Sequence, residues 1–106
     1  RLPRKSRLRF GYTRRGGELL RFVVQLEYWY EESWLQVARF EHQADGPAYR
    51  NVEQEGLHLD LYHPDGEQVE KVTWWIPQPA NEAMSDADDY LRKHAESLLR
   101  RFERWL

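Results

Sequence analysis

The stretch L-L-R-F-V-V-Q-L-E-Y-W-Y at residues 19–30 decides the fold. It is dense in strand-forming valine and aromatic residues, and it alternates. Read with a period of two, it sends Leu20, Phe22, Val24, Leu26 and Tyr28 to one side and Arg21, Val23, Gln25 and Glu27 to the other. Upstream, Gly16-Gly17 supplies the positive-φ positions of a tight hairpin, and R-L-R-F-G-Y-T-R at residues 7–14 alternates as its partner strand, with Leu8, Phe10 and Tyr12 on one side. Downstream, Glu31-Glu32-Ser33 forms a polar turn and residues 34–41 a third strand. Residues 57–63 alternate again, with Leu57, Leu59 and Leu61 inward and His58, Asp60 and Tyr62 outward. Pro64-Asp65-Gly66 has turn chemistry, and residues 68–76 form a last strand with Val72, Trp74 and Ile76 on its core side.

Between the third and fourth strands, residues 42–56 lack periodicity and read as a long loop. After Pro77 and Pro79, residues 81–106 read as one amphipathic helix, in which Ala87, Tyr90, Leu91, His94, Leu98, Phe102 and Trp105 recur at helical steps. Ser85 and Asp88 have the spacing of a capping box. The expected architecture is α+β: a five-stranded antiparallel meander with one C-terminal amphipathic helix packed on one face. Residues 1–106 form a single domain with a flexible basic lead-in at residues 1–6.

A chain of 106 residues holding five Trp, six Tyr and four Phe can bury a real core. It has no cysteine, which excludes disulfides and thiolate metal sites and points to a reducing cytosol. No run approaches the ~18 apolar residues of a membrane span, and no signal-peptide pattern appears. The chain opens on Arg1 rather than Met, so the expectation is that an N-terminal segment has been trimmed. The net charge of −2 hides an asymmetry: residues 1–21 hold eight basic side chains against one acid, and residues 22–70 hold eleven acids against two bases. Such a basic arm, with Arg7, Arg9 and Arg21 on strands, can bind nucleic acid, an acidic partner, or its own acidic body.

Strict alternation puts Arg39 with Glu41, and His58 with Asp60, on the polar side of adjacent strands. If the register brings them together, an arginine, two carboxylates and an imidazole converge opposite the helix. His58 then suits proton transfer near neutral pH, Arg39 suits holding a phosphate, and Asp60 or Glu41 suits orienting the imidazole or serving as a second proton-transfer group. The plainer reading is that a sheet covered on one side has a polar outer face needing no function. His58-x-Asp60 could suggest a metal with His42 or His63, but two ligands on one strand are too few for a closed zinc site and His63 has the opposite parity to His58, so no metal or other cofactor is expected. Trp29 and Trp75 have the parity of the polar face, where they could stack a base or cover a partner, including a second copy of the chain. No P-loop, G-x-G-x-x-G or G-x-S-x-G is present, which disfavours nucleotide-driven and serine-nucleophile enzymes.

The segments F-V-V-Q-L-E at residues 22–27, V-A-R-F-E at 37–41, G-L-H-L-D at 56–60 and P-D-G at 64–66 resemble a small prokaryotic domain family without assigned function. More distantly, the chain is similar to the TumE-like toxins of toxin–antitoxin pairs. That resemblance covers roughly residues 20–70, and implies a cytoplasmic sheet-plus-helix protein acting on RNA, possessing a cognate antitoxin partner and using Arg39, Glu41, His58 and Asp60. The chain departs from the pattern in Glu41 where Asp is usual, in a longer linker before His58, and in lacking a histidine doublet. The leading expectation is RNA binding, or metal-independent RNA cleavage, through the polar sheet face. The alternative is a non-catalytic interaction module or homodimer.

Overall fold

The computed structural model describes residues 5–73 and 76–106. In chain order these form β1 (Ser6–Arg15), β2 (Glu18–Tyr30), β3 (Ser33–Gln43), a 3-10 turn (Ala48–Arg50), α1 (Val52–Glu55), β4 (His58–Tyr62), β5 (Gln68–Thr73) and α2 (Ala80–Glu103). The strands make one antiparallel sheet in the order β1-β2-β3-β4-β5, and α2 packs across one face over β2 and β3. This is the expected α+β meander with a C-terminal helix.

Two tight turns set the long hairpins. Gly16 and Gly17 take φ of 56° and 82°, the left-handed conformations that a two-residue hairpin loop needs. Glu31 and Glu32 take φ of 48° and 63° at the next hairpin without glycine's freedom. Trp29 and Trp34 face each other across that turn, with ring centroids 5.2 Å apart, and their contact helps to hold it closed.

The core lies between α2 and the inner sheet face. Ala80, Ala83, Ala87, Leu91, Ala95, Leu99 and Phe102 form the buried helix stripe, and the four alanines let the helix sit close to Val24, Leu26, Phe40 and Leu59. Tyr28 donates from its hydroxyl to Glu103 Oε2 at 2.7 Å, tying the end of β2 to the end of the helix.

Several local expectations are corrected. Leu19, not Leu20, is buried, because the register shifts beside Thr13 and Arg14 and reverses the facing of the strand there. Phe10 and Tyr12 stand 45% and 63% exposed, because α2 lies over β2 and β3 and leaves edge strand β1 uncovered. Ile76 is 74% exposed rather than in the core, since β5 ends at Thr73. Val72 does pack against the core, and Trp74 and Trp75 lie outside the described residues. The helix begins at Ala80, so Ser85 and Asp88 are interior and form no capping box.

The connection after β3 also differs from an open loop. His42 still belongs to β3, fully buried and 5.5 Å from the Phe22 ring. Its Nδ1 accepts the Val52 N–H at 3.1 Å. Asn51 caps α1 by accepting the Glu53 N–H at 2.9 Å. Glu53 in turn reaches 3.2 Å from the Ala80 N–H and accepts it, capping α2, while the Val52 carbonyl accepts the Gln78 N–H. Of the lead-in, residues 1–4 lie outside the described residues, and Ser6 already opens β1.

Candidate nucleic-acid interface

Opposite the helix, the register aligns one side chain from each strand: Arg9, Gln25, Arg39, Asp60 and Lys71 are successive cross-strand partners. Neighbouring strands lie about 4.8 Å apart, so this row runs across the whole sheet. Glu41 and His58 flank it on β3 and β4, so Arg39, Glu41, His58 and Asp60 do share one face.

The face is a bonded network. Glu27 accepts Arg7 Nε at 2.6 Å, meets Arg9 Nε at 3.5 Å, and accepts Gln25 Nε2 at 2.6 Å. Gln25 Oε1 accepts Arg39 Nη1 at 3.3 Å. Arg39 Nη2 reaches Glu41 Oε2 at 2.8 Å, and Arg50 Nη1 reaches Glu41 Oε1 at 3.2 Å. The expectation that Gln25 and Glu27 sit on a solvated face is corrected: both are buried, roofed by the arginines. Each of the two acids therefore supports two guanidiniums from beneath. Over β1 and β2 a molecule approaching from solvent meets the half-exposed Arg7 and Arg9. Arg21 stands apart, in a two-pronged pair with Asp45 at 2.9 and 3.3 Å.

His58 and Asp60 line a pocket of about 200 Å³ together with Glu41, Tyr49, Arg50, Gln68 and Lys71. Burial holds the His58 pKa below its usual value, and Lys71 lowers it further against the opposing pull of Glu55 and Asp60, so the ring is neutral at pH 7. Its Nδ1 lies 3.4 Å from Thr73 Oγ1, while Nε2 is closed to solvent without a hydrogen-bond partner among the described residues. Burial likewise raises the Asp60 carboxyl above the usual carboxylate range, and its Oδ1 accepts from Gln68 Nε2 at 3.2 Å. Arg39, although directly across from Asp60, turns to Gln25 and Glu41 instead. A neighbouring groove of about 180 Å³ shares Glu41 with this pocket, is lined also by Arg39, and passes over Gly11, where the strand presents no side chain.

Aromatic rings stand at both ends of the face. Trp29 is 40% exposed beside Trp34, over which the Arg7 guanidinium lies at 4.1 Å. Tyr49 is 48% exposed, with Arg50 and Lys71 at 5.6 and 5.5 Å from its ring. Tyr49, Arg50 and Lys71 were not expected in the site. Lys71 was within reach of sequence reasoning, since carrying the meander one strand past Asp60 places it there. Tyr49 and Arg50 gave no periodic signal. Of the other histidines, His42 faces the core and His63 pairs with Asp65 at the β4–β5 turn. Among the described residues, no three histidine or carboxylate side chains group as metal ligands, and no helix is long and apolar enough to cross a membrane.

Comparison with curated proteins and with solved structures returns no match. A family model described as a domain of unknown function, DUF7718, matches residues 1–106. From end to end, the chain belongs to the DUF7718 family.

Proposed function

We propose that the open sheet face binds single-stranded RNA. The observation that carries this reading is the arginine layer of Arg7, Arg9, Arg39 and Arg50 resting on Glu27 and Glu41. Guanidiniums held in place lose little freedom when they take a phosphate, and their forks suit phosphate oxygens. Trp29 near the β2–β3 turn and Tyr49 beside Lys71 supply exposed π-surfaces, as unpaired bases require. The similarity to TumE-like toxins of prokaryotes, and with it an antitoxin partner and a cytoplasmic site of action, belongs to this proposal.

Strand cleavage is a second reading, favoured by the neutral His58 beside Asp60 in one pocket. In it His58 takes the 2′-hydroxyl proton, the 2′-oxygen attacks phosphorus, the P–O5′ bond breaks, and a protonated neighbour such as Lys71 returns a proton to the leaving oxygen. The His58 ring must turn, or its cover shift, to bring Nε2 to the substrate.

Fluorescence anisotropy with a labelled single-stranded RNA tests the binding. Arg39→Ala is expected to weaken it about tenfold, and affinity is expected to fall steeply with salt. Tyr49→Ala is expected to weaken it by about 1–3 kcal/mol. Salt-independent binding, or an Arg39→Ala protein that binds like the wild type, removes the reading. Cleavage is judged separately, by loss of RNA breakdown in His58→Ala with RNA affinity retained.

A further inference from the structure

The sheet ends on β1, whose only strand neighbour among the described residues is β2. Residues 6–13 of β1 pair with residues 21–28 of β2 without a break, and over that length alternate residues turn their N–H and C=O groups outward. Long open edges of this kind are templates for another strand. The opposite edge, β5, spans only Gln68–Thr73, and its pairing breaks at Tyr62.

The side chains of β1 state what that strand must carry. On the helix side, Phe10 and Tyr12 are exposed and Leu8 is half-buried against the core, a short apolar row that α2 does not reach. On the open side stand Arg7 and Arg9, while Arg14 turns to the helix side, where it donates to Asn81 Oδ1 at 2.9 Å, and β1 holds no acid. Directly opposite charges of one sign destabilise a strand pair, so β1 repels a second copy of itself. Its existing neighbour shows the complement it accepts. β2 sets Glu27 opposite Arg7, with Leu26 and Val24 opposite Leu8 and Phe10. The Arg7 and Arg9 side chains remain about half exposed at 45% and 54% after pairing with Glu27, and so can take a second carboxylate from the outer side.

We propose that β1 is the docking edge for an extended peptide segment of a partner protein, alternating acidic with apolar residues, which adds as a sixth strand. Main-chain bonds to the edge supply affinity, carboxylates opposite Arg7 and Arg9 fix register and sign, and apolar side chains cover Phe10 and Tyr12. This does not depend on the RNA reading.

The test uses labelled peptides of about eight residues, a length matched to the unbroken run of pairing. One alternates Glu and Val, one alternates Lys and Val, and one is the Glu/Val peptide with every second amide N-methylated. The Glu/Val peptide is expected to bind at least about tenfold tighter than the other two, and to slow hydrogen exchange at alternate amides of β1. Arg9→Glu is expected to shift preference toward the Lys/Val peptide. Equal binding of the N-methylated peptide means charge adsorption without strand addition and overturns the proposal. So does protection confined to the Arg39 and Arg50 region, or no binding at all. A protein that light scattering shows to be a dimer, with the β1 amides already protected, assigns the edge to a second copy and overturns it equally.

Discussion

Glu27 shows how much a single buried carboxylate can organise. It accepts from Arg7 and Gln25 and sits beside Arg9, so replacing it leaves a buried amide and two guanidiniums short of a partner. Glu27→Ala is expected to cost about 2 kcal/mol of stability, read by denaturant unfolding, with most of the loss restored by Glu27→Asp only if the shorter side chain still reaches Arg7. Tyr28 carries a pH signature. Its hydrogen bond to Glu103 and its burial push its pKa up to about 12, above the unfolded value near 10. The stabilisation from this bond is fully present below pH 10 and is lost as pH rises through about 12. Tyr28→Phe is expected to flatten that alkaline limb of the stability curve. The fully buried His42 and the partly buried His58 act at the other end. Burial lowers the pKa of both His42 and His58, so below the unfolded value near 6.5 the unfolded chain takes up protons first and stability falls. His42→Gln is expected to lower stability at pH 7 and to reduce the drop between pH 6.5 and 5, measured by urea midpoints.

At the level of strands and helices, alternation was a sound guide to β4, where burial follows the pleat throughout, and to the core-facing residues Phe22, Val24, Leu26, Ala38 and Phe40 of β2 and β3. It failed where geometry is non-local. Leu19 and Leu20 exchange roles through a one-residue register shift that no period-two reading contains. Gln25 and Glu27 are buried not by their own strand but by arginines from β1 and β3, so polarity alone placed them in water. The start of α2 was misread for a related reason. Its cap is Glu53, which lies 27 residues away in sequence, whereas local capping spacing points to Ser85. The shared face of Arg39, Glu41, His58 and Asp60 followed from parity and meander order, whereas Tyr49 and Arg50 arrive on a turn whose position depends on the buried His42–Val52 bond. The Glu31–Glu32 turn carries backbone strain that side-chain chemistry did not announce. Substituting Asn at 31 and Gly at 32 is expected to raise stability by about 1 kcal/mol, with RNA affinity unchanged.

Across the whole molecule, the charge asymmetry of the sequence resolves into contact. Arg7 and Arg9 close on Glu27, and Arg21 closes on Asp45, so part of the basic arm neutralises the acidic body rather than projecting from it. What remains is a slab of 40 × 23 × 21 Å with a helix on one side and an arginine-roofed sheet on the other. The connector between β3 and β4 touches both sides. Its 3-10 turn brings Tyr49 and Arg50 to the open face, and its next residues bond to His42, Gln78 and the first N–H of α2. The connector is thus a lever with its fulcrum inside the protein. Unwinding the first turn of α2 would break the bond from Glu53 to the Ala80 N–H, on the same short segment that carries Tyr49. One segment of eight residues thus stitches the start of the helix to the opposite face of the sheet.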